Sequence, residues 1–153
     1  MNNNKLTLEQ LCNLVPQQQP FRFVERLVYV DEQEIHGIYT FKADEFFYAG
    51  HFPQKPITPG VILLESMCQV GVVALGLYLL SLEIPLSELK HWLTMFTDAN
   101  IEIFKSVYPN DQVLIKGKKV FWKKKKLRSQ IEMYDQNNTL LARAVASGMG
   151  VKI

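Results

Sequence analysis

From Val61 to Leu82 the chain carries 22 residues with Glu65 as the only charge. A run of that length and apolarity can cross a membrane as a helix. Glu65 and Gln69 are costly in lipid, however. The rest of the chain also holds enough apolar strand to need a helix to pack against. The run therefore reads as a helix from about Val61 to Ser81, buried at the centre of a soluble protein with no membrane contact. A helix that is apolar all round has to be wrapped. A curved antiparallel sheet around one long central helix, an α+β fold, is the economical way to do so.

The flanking segments supply the strands. Phe21 to Val30 is rich in aromatic and β-branched residues and reads as a strand, with Asp31-Glu32-Gln33 as a turn and Ile35 to Phe41 as its partner. Residues 44–60 form a loop in which Pro53, Pro56 and Pro59 exclude helix and favour extended backbone. After Pro85, the stretches Leu89 to Phe104, Gln112 to Trp122, Leu127 to Tyr134 and Leu140 to Val151 read as strands, with a tight turn at Asn137-Asn138. Leu6, Leu8, Leu11 and Leu14 have helical spacing and end before Pro16. Gly71 and Gly76 within the long helix are expected to let sheet backbone approach, while Met67, Val70, Val73 and Ala74 can line an acyl channel or, as the better reading, pack in the core.

At 153 residues the chain fits a single domain over 1–153, with residues 1–19 as N-terminal helix and connector. Seventeen basic against 15 acidic residues, a net charge of +2, give no electrostatic case for nucleic acid. Cys12 and Cys68 form no paired motif, and Met1 to Lys5 lacks the apolar core of a signal peptide, so a cytoplasmic location is expected. His36 and His91 have no ligand spacing with each other or with His51, so no metal or other cofactor is expected. Lys118 to Arg128 holds seven basic residues and no acid. Lys123 to Lys126 reads as a hairpin tip or strand edge: either a solvated edge or a dock for an acidic partner.

The titratable groups converge on one stretch. His51 lies in the proline loop between Gly50 and Phe52, and Glu65 follows fourteen residues later on the first turns of the helix. His51 can be a loop histidine that caps a turn, or a base at neutral pH with Phe52 as an apolar wall. Glu65 can sit at the wet end of the helix, or act as a carboxylic acid among Leu63, Leu64, Met67 and Cys68 that donates a proton to a departing hydroxyl. Gln69, four residues on, can hold that carboxyl or simply pack. Gly60 can merely start the helix, or offer free amides, beside Val61, to a developing oxyanion. Base, acid and oxyanion site together suit removal of a proton next to a carbonyl with loss of a β-hydroxyl.

The run Gly50-His51-Phe52-Pro53, Pro56, Pro59-Gly60-Val61, Glu65 and Gln69 closely resembles the 3-hydroxyacyl-acyl-carrier-protein dehydratases of the FabZ kind, with the FabA kind as relatives. Pro20 to Arg26 looks like that family's opening strand, and Pro109-Asn110-Asp111 sits where the family has a Pro-Gly-Asp turn. The resemblance implies a hot-dog fold and a homodimer, or a trimer of such dimers, with sites at the subunit interface. It implies a 3-hydroxyacyl chain on an acyl carrier protein as substrate. His51 of one subunit would take the α-proton, Glu65 of the partner subunit would protonate the hydroxyl, and the Gly60 amide would polarise the thioester carbonyl. Val61, Phe52 and Gln69 would line the substrate site. The product would be the trans-2-enoyl thioester, in fatty acid or related polyketide or polyene synthesis. Glu at position 65 matches the FabZ kind, whereas the FabA kind has Asp. Residues Asn100 to Lys105 lack the family's usual arginines, so either the lysine run takes over the carrier contacts or the natural carrier differs. A hot-dog acyl thioesterase and a non-catalytic acyl-binding subunit remain the alternatives.

Overall fold

The computed structural model describes residues 5–153. A short helix, Leu8–Leu14, opens the chain behind a capping box: Thr7 Oγ1 accepts the Gln10 N–H and Gln10 Oε1 accepts the Thr7 N–H. Two of the otherwise unsatisfied first-turn donors are thereby paired. The helix buries Leu11 and Cys12 and stops at Val15, before Pro16.

Six strands follow: β1 (Arg26–Val30), β2 (Glu34–Thr40), β3 (Trp92–Ile103), β4 (Gln112–Lys123), β5 (Lys126–Tyr134) and β6 (Leu140–Lys152). They form one antiparallel sheet in the order β1-β2-β4-β5-β6-β3, which leaves β1 and β3 at the edges. In β2 and β5 buried residues alternate with part-buried or exposed ones, the pattern of a sheet with one covered face.

That face is covered by the central helix, Gly60–Ser81. It is long and apolar enough to span a membrane, but 78% of its apolar window is buried inside the fold, which makes it a core helix. Met67, Val70 and Ala74 are fully buried and Val73 nearly so, as core packing requires. One long helix against a single antiparallel sheet is the hot-dog arrangement expected from the sequence.

Contact between helix and sheet is closest at Gly71. A Cβ on Gly117 of β4 would lie 2.6 Å from the Gly71 Cα, so two backbones meet with no side chain between them. Ser129 of β5 donates from Oγ to the Gly71 carbonyl at 2.7 Å. This contact falls in Gln69–Ala74, where the helix widens to π-helical bonding. Gly76 differs from expectation: a Cβ there would meet nothing nearer than Leu127 Cδ2 at 3.8 Å, an ordinary contact.

Two strand boundaries also differ. β1 begins at Arg26 rather than Phe21. The Phe23 amide and carbonyl are bonded to Gln69 and Ser66 of the central helix, so they have no strand partner. β3 begins at Trp92, because Leu86–His91 after Pro85 forms a 3-10 turn. The lysine run is a hairpin tip, with Lys124 (φ 50) and Lys125 (φ 63) both left-handed between the paired Lys123 and Lys126. Glu83, just past the central helix, binds both Trp122 Nε1 and Lys125 Nζ. Lys126 and Arg128 lie 3.9 and 3.7 Å from the Asp98 carboxylate. Asn110 takes φ 72 where the resembled turn has glycine, a position that asparagine tolerates.

Candidate active site

The loop carrying His51 is fixed from both sides. Phe47 and Tyr48 are buried, and the His51 N–H donates to the Phe47 carbonyl at 3.0 Å. Beyond the histidine, the Thr58 N–H donates to the Val107 carbonyl, and the Thr58 hydroxyl lies 2.6 Å from the Tyr48 hydroxyl. The proline segment folds back rather than running extended. Phe52 and Lys55 exchange backbone hydrogen bonds around Pro53, which occupies the second position of the turn. The Ile57 N–H then returns to the His51 carbonyl at 3.0 Å.

This folding sets the tautomer of His51. Its Nδ1 lies 2.9 Å from the Ile57 carbonyl, an oxygen that can only accept. Nδ1 therefore carries the proton, and the Nε2 lone pair is left to act as a base. The half-exposed Phe52 ring stacks on the imidazole at 4.1 Å and 22°.

Glu65 stands one helical turn above the start of the central helix and is half-buried. Gln69 holds it: Gln69 Nε2 donates to Glu65 Oε1 at 2.9 Å. The same amide donates to the Phe21 carbonyl at 2.9 Å and accepts the Phe23 N–H at 2.7 Å. Gln69 is 0% exposed, so its three bonds leave it a single orientation, and the carboxyl is held by a rigid partner. Ser66, also buried, adds a bond from Oγ to the Phe23 carbonyl at 2.7 Å. Burial, reinforced by the Glu65 charge, pushes the Cys68 thiol up to about 12, so it stays protonated and inert.

Pro59 precedes the helix without a side-chain cap. Among the described residues the Gly60 and Val61 amides have no acceptor, as expected of the first donors of a helix. Val61 is 74% exposed. A Cβ on Gly60 would lie 2.7 Å from Ile103 Cδ1, which sets the helix start close against the end of β3.

Glu65 lines a cavity of about 40 Å³ with Gln17, Cys68, Val72, Val73, Thr94 and Phe96. Within one chain no hydrogen bond joins His51 to Glu65, and this cavity does not include His51. The expected residues thus fall into two groups, His51 with Phe52 and Glu65 with Gln69, while Gly60 and Val61 begin the helix that carries the second. Gln17 was read from the sequence only as part of a connector; a glutamine among glutamines carries no sign of the cavity it lines. Among the described residues no cluster of three or more His, Cys, Asp or Glu could hold a metal ion.

The chain has relatives among known proteins. The model of the FabA-like domain matches residues 15–146. The 3-hydroxyacyl-acyl-carrier-protein dehydratase FabZ of Anoxybacillus flavithermus is 33% identical over 120 residues, covering 77% of this chain and 79% of that protein. The FabZ of Lactococcus lactis is 28% identical over 149 residues, covering 97% and 94%. Among solved structures, the thioesterase HI1161 of Haemophilus influenzae superposes with a TM-score of 0.67 over 96% of this chain and 92% of its own, at 15% identity. At that identity the likeness speaks for the fold alone.

Proposed function

Because the chain belongs to the FabA-like family and is kin to its FabZ dehydratases, we propose that it dehydrates a 3-hydroxyacyl thioester on an acyl carrier protein to the trans-2-enoyl thioester. The pathway is fatty acid synthesis or a related polyketide or polyene route, in the cytoplasm, with residues 1–153 acting as one domain. The acyl carrier protein is the substrate-bearing partner.

His51 Nε2 takes the α-proton, and the electrons of that C–H bond become the new double bond. The C3–O bond breaks with its electron pair going to oxygen, which receives the Glu65 proton and leaves as water. Exchange with solvent then returns His51 to its neutral form and Glu65 to its acid form. The Gly60 amide, at the positive end of a 22-residue helix, meets the charge that develops on the thioester oxygen. Phe52 and Val61 supply apolar walls, and Gln69 orients the acid. The observation that carries the reading is the Nδ1 bond of His51 to the Ile57 carbonyl, which reserves Nε2 for base chemistry.

The separation of His51 from Glu65 within one chain supports a site shared between two subunits. Among the described residues β3 is an unpaired edge with exposed Met95, Phe96 and Ile103, and Ile103 lies against Gly60, the residue before exposed Val61. Such an edge calls for a cover, and a second copy provides one. In that homodimer His51 of one subunit works with Glu65 of the partner subunit. The Lys123 and Lys124 side chains at the hairpin tip form no ion pair among the described residues and suit an acidic carrier.

The test is incubation with a 3-hydroxyacyl thioester over several chain lengths. Enoyl product is expected, with turnover reduced about 10²-fold or more in His51→Ala and in Glu65→Gln. Free thiol in place of enoyl product would identify a thioesterase. Near-normal rates in either variant would refute the roles.

A further inference from the structure

The cavity beside Glu65 is lined by a residue that the reaction as described leaves unused. Gln17 borders it, and the Gln17 Oε1 is buried with no donor among the described residues. A buried amide oxygen without a partner is uncommon and costly. The connector that carries it is held firmly. Arg22 donates from Nη1 to the Val15 and Gln17 carbonyls at 3.1 and 3.2 Å, and from Nη2 to the Cys12 carbonyl at 2.6 Å. The residues on either side of Arg22 anchor the same strap to the helix, since Phe21 and Phe23 are both bonded to Gln69. One network therefore places Gln17 and Glu65 on the walls of the same cavity.

The cavity is about 40 Å³. A single water needs at least about 10–15 Å³, so a hydroxyl group and the water it becomes both fit. Its remaining walls, Cys68, Val72, Val73, Thr94 and Phe96, offer mostly apolar surface. The Cys68 thiol is a weak acceptor at best.

We propose that Gln17 contacts the substrate: its Oε1 accepts the hydrogen of the 3-hydroxyl group and so turns a lone pair of that oxygen towards Glu65. A hydroxyl has one hydrogen and two lone pairs. It can receive the acid's proton in line only if its own hydrogen points elsewhere. In the elimination the Glu65 O–H bond breaks, a new O–H bond forms on the leaving oxygen, and the C3–O electron pair passes to that oxygen. The hydrogen bonded to Gln17 stays on the water throughout. This inference rests on the dehydratase reading and adds the group that recognises the 3-hydroxyl.

Binding measurements separate the two. A His51→Ala background, which blocks turnover, is titrated with a 3-hydroxyacyl pantetheine thioester and with the saturated thioester of equal chain length. With Gln17 present the hydroxylated ligand is expected to bind about tenfold more tightly, the worth of one hydrogen bond to a buried acceptor. Gln17→Met keeps the length of the side chain and removes the amide. It is expected to abolish that ratio while leaving saturated-thioester affinity unchanged; Gln17→Ala provides a second variant if Met packs poorly. Equal weakening of both ligands, or a ratio that survives in both variants, would overturn the proposal. Absence of enoyl product with the unmodified enzyme would instead sink the dehydratase reading, and the binding ratio would still decide the role of Gln17.

Discussion

Replacing Gln69 with leucine tests whether the strap and the acid are held by one side chain. The volume is nearly kept, but three hydrogen bonds are lost. The buried Phe23 N–H loses its acceptor, at a cost of about 1–3 kcal/mol. The Phe21 carbonyl is only part-buried and loses about 0.5–1.5 kcal/mol. Glu65 is half-exposed and can turn to water, so its bond adds little to stability. The expected loss is about 3 kcal/mol, a large share of the stability of a domain this size. That corresponds to a fall of about 6–12 °C in Tm. Freed from its partner, Glu65 leaves the productive geometry, and kcat is expected to drop at least about tenfold. Ser66→Ala is the control. It removes one bond to the same strap, costs about 1 kcal/mol, and leaves the Glu65–Gln69 pair intact, so kcat stays near normal. Urea denaturation and steady-state assays on both variants measure these quantities. A Gln69→Leu protein within 1 kcal/mol of the parent, about the worth of a single hydrogen bond, and with unchanged kcat would refute the reasoning.

Two other perturbations probe the scaffold. Gly117→Ala drives a methyl against the Gly71 backbone and is expected to cost about 3 kcal/mol in a denaturation experiment, whereas Gly76→Ala, whose methyl would make only an ordinary contact with Leu127, is expected to stabilise by up to about 1 kcal/mol. The Cys68 thiol, held up to about 12, is expected to resist alkylation at mildly alkaline pH while the protein stays folded. Because the unfolded thiol ionises near 9 and the folded one does not, the unfolded chain binds fewer protons between about pH 9 and 12. Stability therefore falls across that window, and the part due to this thiol disappears in Cys68→Ala.

Much of the fold was legible in the chain because its signals are local. The apolar run from Val61 announced a buried helix, and the strands read at Ile35 to Phe41 and Leu127 to Tyr134 are present as Glu34–Thr40 and Lys126–Tyr134. Glu65 and Gln69 are four apart, which places them together on any helix, and their hydrogen bond followed. What escaped depends on contacts distant in sequence. Phe21 to Glu25 has strand composition, yet the Phe21 carbonyl and both backbone groups of Phe23 bond to Gln69 and Ser66, more than forty positions away. Gly71 and Gly76 look alike in sequence, and only the position of Gly117 distinguishes them. The π-helical turn at Gln69–Ala74 carries no compositional mark, and neither does Gln17 in its run of glutamines. His51 was legible as a base candidate, but its tautomer depends on the turn that brings the Ile57 carbonyl back to it.

The central claim is that each site joins the imidazole of one subunit to the carboxyl of another, and mixing two dead variants tests it directly. His51→Ala and Glu65→Gln homodimers are unfolded together, refolded as a mixture and assayed for enoyl product. A mixed dimer keeps one intact site only if His51 and Glu65 come from different subunits, and random pairing then restores about a quarter of the parent activity. Recovery at that level is expected. No recovery, with mixed dimers demonstrably present, would mean that each chain supplies both groups to its own site.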